Sequence, residues 1–215
     1  MTLTRWPASM VTGLRKKYSD LGREPTMSAW IKMIPESEAT GPLVEMYDQA
    51  RTPHGTVDNV MKVHSLRPHT MQGHVALYRS VLHHPDITLP LWFLEVVASY
   101  TSIKNNCAYS LAHHFHNARE LIADDDRADQ IYAALSDGKP EEQFSGKELA
   151  LLQYADKLTL RVGEMEKSDA DLLRNAGCDD GEILEVNQVV AYFNYSNRLL
   201  NGLGVTTEGD AVGYY

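Results

Sequence analysis

The chain has 215 residues, 43% of them hydrophobic and 23% charged, and carries a formal net charge of −9. That length supports one sizeable apolar core, and the acidic balance excludes a polyanion partner, because phosphate backbones are gripped by clustered Lys and Arg. Arg15, Lys16 and Lys17 make only a short basic cluster, so no nucleic acid is expected.

No apolar run reaches the roughly 18 residues of a membrane span, and the opening MTLTRWPASMVTGLRKK lacks the apolar segment of a secretory signal. Two cysteines, Cys107 and Cys178, cannot build a disulfide framework. Together these features predict a cytoplasmic protein with no membrane partner.

Residues 1–26 mix charges with Pro7, Gly13, Gly22 and Pro25 and show no sustained period, which predicts an extension ahead of a single all-α domain over 27–215. MSAWIKMIP from Met27 would itself serve as a protein start. From Glu36 the pattern turns helical, with Leu43, Val44, Met46 and Tyr47 at helix spacing before Pro53 and Gly55. A second helix, Pro68 to His83, gathers Met71, Val75, Tyr78, Val81 and Leu82 on one face, and Pro85 ends it.

Pro90, in a first-turn position, opens LWFLEVVASYTSI, a helix apolar all round and therefore buried, with Glu95 in its middle. Asn105 and Asn106 are good caps for CAYSLAHHFHNARELIA, with Asn106 as cap and Cys107 as the first helical residue. Further helices are predicted over Arg127 to Leu135, over FSGKELALLQYADKLTLRV capped by Ser145, over SDADLLRNAG capped by Ser168 and closed by Gly177, and over DGEILEVNQVVAYFNYSNRLLNGLG capped by Asp179 or Asp180. Few alternating β-branched runs remain, so the fold is read as an all-α bundle. The stretches EVVASYTSIKNN and EVNQVVAYFNYSN echo one another and suggest two related helical halves.

On the helix that begins near Asn106, Cys107, Ser110 and His114 follow at offsets of three and four, which puts all three on one face. A thiol at a helix N-terminus meets unpaired amides that favour thiolate, and Glu95 on the preceding helix could orient the His114 imidazole. The same residues also have an inert reading, with Cys107 as core filler, Ser110 bonded to a helix carbonyl and His114 a satisfied histidine.

The order Glu95, eleven residues, Cys107, two residues, Ser110, three residues, His114 resembles the E-x11-C-x-x-C-x3-H signature of the alkylhydroperoxidase D and carboxymuconolactone decarboxylase superfamily. The stretches VDNVMKVHSLRPH, ALYRSVL, CAYSLAHH and QVVAYFNYSNRLLNGLGV are similar to its peroxidase-related branch, over roughly residues 30–205. The resemblance implies an all-α homo-oligomer, trimeric or hexameric, that needs no cofactor or metal and reduces hydroperoxides with electrons from a thiol reductant. It implies that Glu95 and His114 relay a proton and that Cys107 is the resolving thiol. Ser110 stands where the attacking thiol belongs.

A serine neither ionises near neutral pH nor forms a disulfide, so three readings stay open. The serine is an engineered block on a peroxidase; or Cys107 works alone through a sulfenic acid; or the chain does proton-transfer chemistry on a lactone-like acid with Glu95 and His114 and no sulfur. A non-catalytic oligomeric binding protein is a further alternative. All nine histidines fall between His54 and His116, but only His113 and His116 share a helical spacing suited to a metal, so no metal site is assigned. The aromatic run Tyr192 to Asn197 is read as a subunit interface.

Overall fold

Apolar residues on every side of one helix leave it nowhere to lie but the centre, and the computed structural model, which describes residues 28–214, puts Leu91–Lys104 there. The extension expected over residues 1–26 lies outside the described residues. Nine α-helices and no strand occur among the described residues: α1 (Pro42–Gln49), α2 (Asn59–Lys62), α3 (Pro68–Leu82), α4 (Leu91–Lys104), α5 (Ala108–Ile122), α6 (Asp125–Ser136), α7 (Gly146–Leu160), α8 (Lys167–Asn175) and α9 (Asp180–Leu203). The all-α reading holds, because the apolar spacing is helical throughout.

Every residue of α4 from Phe93 to Ser102 is buried, with α5, α7 and α9 packed around it. Three hydroxyls in this apolar helix bond back along it, Ser99 to the Glu95 carbonyl, Thr101 to Val97 and Ser102 to Ala98 at 2.7–2.9 Å, so they satisfy themselves locally. The main core joins Phe93, Leu94 and Val97 to Leu151, Leu152, Val189 and Phe193. Truncating such a residue to Ala costs about 3 kcal/mol or more.

Several helix starts differ from the sequence reading. Asn106 has φ +51° and turns the chain left-handed, so Cys107 is the cap and α5 begins at Ala108, one residue later than expected. Pro90 likewise precedes its helix rather than entering it. Glu166, not Ser168, caps α8, because Glu166 and Asp169 satisfy each other's amides in a capping box. The α6 helix starts before Arg127 because the Asp124 side chain accepts the Arg127 N–H at 3.0 Å. Asp179 caps α9 and forms a capping box with Glu182, within the expected pair.

The echo between α4 and α9 has a structural content, since the two pack together, yet their glutamates differ. Glu185 is a surface carboxylate that accepts the Thr88 and Leu89 amides at 2.8 and 2.9 Å, whereas Glu95 is wholly buried. Tyr192 and Phe193 of the aromatic run are buried in the core of this chain, and Tyr195 alone of its rings is exposed.

After α9 the chain turns at Gly204 (φ +60°), where a Cβ would sit 2.1 Å from the Trp30 ring. The following tail runs back across α2 and α5. Its Thr206 amide bonds the Ser28 carbonyl at 2.9 Å, and Asn59 Nδ2 donates to the Thr206 and Glu208 carbonyls, both at 2.9 Å.

Candidate active site

Glu95 carries its carboxylate into the core from α4, where an unpaired charge would cost several kcal/mol (~3–5). Two side chains from α5 answer it: His114 Nδ1 lies 2.7 Å from Oε2, and Asn117 Nδ2 donates to Oε1 at 3.1 Å. The pairing fixes Nδ1 as the protonated nitrogen facing the carboxylate and leaves Nε2 as the basic nitrogen of the ring. The Phe193 ring meets His114 edge-on at 4.5 Å and Tyr78 closes in at 6.3 Å, which holds the imidazole plane. Asn117 had no signal in the sequence reading, although its offset of three from His114 puts it on the same face.

Ser110 is buried one turn before His114, and its Oγ lies within hydrogen-bond distance of Ser102 Oγ, at 2.9 Å. Asn197 of α9 donates to Ser102 in turn at 3.3 Å. Cys107 faces elsewhere. It packs with Ala29, Val63, Leu200 and Val205 in a separate apolar cluster. Burial pushes its thiol pKa up, and the amides of Tyr109 and Ser110, which act in the opposite direction, do not overcome it. The expectation of a stabilised thiolate is therefore corrected: the helix end favours the charge, but the apolar wrapping outweighs it. Cys178, in the loop between α8 and α9, is a second buried free thiol in the main core.

Ser110 and His114 line one cavity of about 80 Å³, and Cys107 does not. Tyr78, Tyr109, Tyr192 and Tyr214 give it aromatic walls. The tail closes one side: the Gly213 amide lies 3.4 Å from His113 Nδ1, the Tyr214 amide donates to Asn117 Oδ1 at 2.7 Å, and Tyr214 stacks on His83 at 5.6 Å. Gly213 has φ +91°, and a Cβ there would come within 2.1 Å of the His116 ring.

A second polar group lines the same cavity, and the sequence reading missed it. Asp58, ahead of α2, and His113, beside His114 on α5, belong to its lining, and Asp210 of the tail stands behind them, 3.7 Å from His113 Nε2. Asp210 accepts the Asn59 amide at 3.0 Å and the Tyr109 hydroxyl at 2.5 Å. Burial, reinforced by Asp210 and opposed by His113 and Lys62, pushes the Asp58 carboxyl up to about 6. Burial and Asp210 also hold the Tyr109 phenol well above its usual value. Asp58 and Asp210 stand in loops without periodicity, so no spacing could have joined them.

Burial lowers two further histidines, His64 to about 4 and His74 to about 3. His74 Nε2 pairs with the Tyr192 hydroxyl at 2.9 Å on the cavity wall. Among the described residues no group of three or more His, Cys, Asp or Glu side chains is arranged to hold a metal ion. No helix among them is long and apolar enough to cross a membrane.

Neither a family model nor a curated protein matches the chain. Solved structures do. An alkylhydroperoxidase AhpD core, an uncharacterized peroxidase-related protein from Ralstonia eutropha JMP134, superposes with a TM-score of 0.72 at 21% identity, over 86% of this chain and 95% of its own. An uncharacterized peroxidase-related protein from Silicibacter sp. TM1040 gives 0.73 at 21% identity, over 88% and 96%. The debrominase Bmp8 gives 0.66 at 16% identity, over 86% and 94%. Superposing on nearly the whole of these proteins, the chain has the alkylhydroperoxidase D-like fold.

Proposed function

We propose that this chain is an acid–base enzyme that moves a proton to or from a small lactone-like acid bound beside Ser110, with His114 as the proton-exchanging group and Glu95 as its positioning residue. The observation that carries this reading is the buried Glu95–His114 pair at 2.7 Å, whose imidazole lines the cavity. A carboxylate behind Nδ1 fixes the tautomer and orientation of the ring that exchanges the proton. No sulfur is needed, which fits a Cys107 that is buried away from the cavity.

A second reading, thiol-dependent hydroperoxide reduction, is favoured by the fold shared with peroxidase-related proteins and by Ser110 lying on the cavity, where an attacking thiol would stand. One set of assays separates the two. Cumene hydroperoxide consumption with dithiothreitol is expected to stay at background for the chain as it stands; turnover lost on Cys107→Ser would overturn the proton-transfer reading. Decarboxylation of a carboxylated unsaturated lactone, followed by carbon dioxide release, is the positive assay, with at least a hundredfold loss expected in His114→Gln. Ser110→Cys is the variant in which the peroxidase reading expects hydroperoxide turnover to appear.

A further inference from the structure

Two buried polar atoms on the cavity wall, Asp58 Oδ1 and His113 Nε2, have no hydrogen-bond partner within the protein. His113 is only 8% exposed, and its Nε2 lies 3.7 Å from the nearest carboxylate oxygen, Asp210 Oδ2, too far for a hydrogen bond. Asp210 is already engaged by Tyr109 and by the Asn59 amide. The Gly213 amide points at His113 Nδ1, which makes Nδ1 the acceptor and leaves the ring proton on Nε2. A buried acceptor on Asp58 and a buried donor on His113 thus belong to residues lining the same cavity. Orphaned groups of this kind each cost about 1–3 kcal/mol unless a ligand or solvent answers them.

We propose that Asp58 and His113 bind the hydroxyl of a small phenol- or enol-type ligand, the ligand O–H donating to Asp58 Oδ1 and its oxygen accepting from His113 Nε2–H, with its flat apolar body against the cavity tyrosines. A carboxylate head is disfavoured here, since Asp58 and Asp210 already set two acids side by side; a neutral protic head adds no charge. The tyrosine rings offer edges and faces to a planar body. The Asp58 carboxyl, with an ordinary upward push from burial, is still an acceptor above about pH 6. An enol is what a lactone-like acid becomes when the proton beside its carbonyl leaves the carbon and a proton is delivered to the carbonyl oxygen, so this site deepens the proton-transfer reading by naming its substrate class. It rests on that reading for turnover, but binding is measured without turnover.

The test is isothermal titration of the full chain at pH 7.5 with phenol and with anisole, which has the same ring and no O–H to donate. Phenol is expected to bind at least tenfold more tightly than anisole. Asp58→Asn and His113→Gln are each expected to weaken phenol about tenfold while leaving anisole unchanged, with thermal melts confirming that both variants fold. Equal affinity for the two probes, no binding of phenol, or full phenol affinity in both folded variants overturns the proposal. The comparison of probes on the unaltered chain decides the matter even where a variant does not fold. Phenol binding with no lactone turnover in the unaltered chain overturns the proton-transfer reading alone, and lactone turnover that is lost in His114→Gln without phenol binding overturns this proposal alone.

Discussion

Asn117 joins the buried carboxylate of Glu95 to the tail: its Nδ2 donates to Glu95 Oε1 at 3.1 Å, and its Oδ1 accepts the Tyr214 amide at 2.7 Å. Both ends of one amide are committed, so the Glu95–His114 pair and the covering segment share a neighbour. Glu95→Leu leaves His114 Nδ1–H and the Asn117 amide without their acceptor, at about 1–3 kcal/mol for each group. A fall in Tm of roughly 5–15 °C is expected in a scanning melt. An unchanged Tm would mean that the carboxylate holds neither side chain.

The buried Cys107 predicts a slow thiol. In the native chain at pH 8, alkylation by iodoacetamide, read by peptide mass spectrometry, should lag that of the unfolded chain by at least a hundredfold. Fast native labelling of Cys107 would instead reveal an accessible thiolate and restore the sulfur-based reading.

Acid should weaken the fold, and the sign follows from three groups. His64 and His74, held to about 4 and about 3, stay neutral in the folded chain while the unfolded chain protonates them below about pH 6.5. Their stabilisation is complete above that pH and drains away as the pH falls, at about 1.4 kcal/mol per unit for each ring. Asp58, pushed up to about 6, acts in the opposite sense: its contribution is complete below the unfolded carboxyl value and is lost as the pH rises through 6. His113, Asp210, Lys62 and His54 set its local field, and its partial solvation damps its share. Two rings against one carboxyl leave a net loss, so Tm should be roughly 5–10 °C lower at pH 5 than at pH 7. Asp58→Asn removes the opposing contribution and should steepen that fall; a shallower one contradicts the assignment.

Gly213 holds a left-handed φ, and its added Cβ would collide with the His116 ring. Gly213→Ala should therefore lift the tail from α5 at a cost of about 1–2 kcal/mol or more. Amide hydrogen exchange over residues 206–214 is expected to speed at least tenfold, with α4 and α7 unchanged. Slowed or unaltered exchange would show that the tail tolerates a side chain there.

The helices were legible because α3, α4, α5 and α9 each carry an apolar pattern at helical spacing. The contact between Glu95 and His114 was legible for the same reason: the two fall on neighbouring helices whose registers the spacing dictates. Cap positions were less so, since Asn106 and Ser168 are good caps by type, yet the left-handed turn at Asn106 and the Glu166–Asp169 box moved the actual caps by one or two residues. The environment of Cys107 depends on Ala29, Val63, Leu200 and Val205, four positions scattered along the chain, and no local rule brings them together. Asp58 and Asp210 were beyond reach for that reason also.

The tail that closes the cavity has a consequence for the order of folding. Asp210 meets the Asn59 amide across 151 residues and the Tyr109 hydroxyl across 101, whereas α4 and α5 pack as sequence neighbours. Closing such long loops costs chain entropy before any contact rewards it. The helical centre is thus expected to assemble first and the tail-covered side of the cavity last, so a chain halted midway would hold a complete Glu95–His114 pair beside an unfinished pocket.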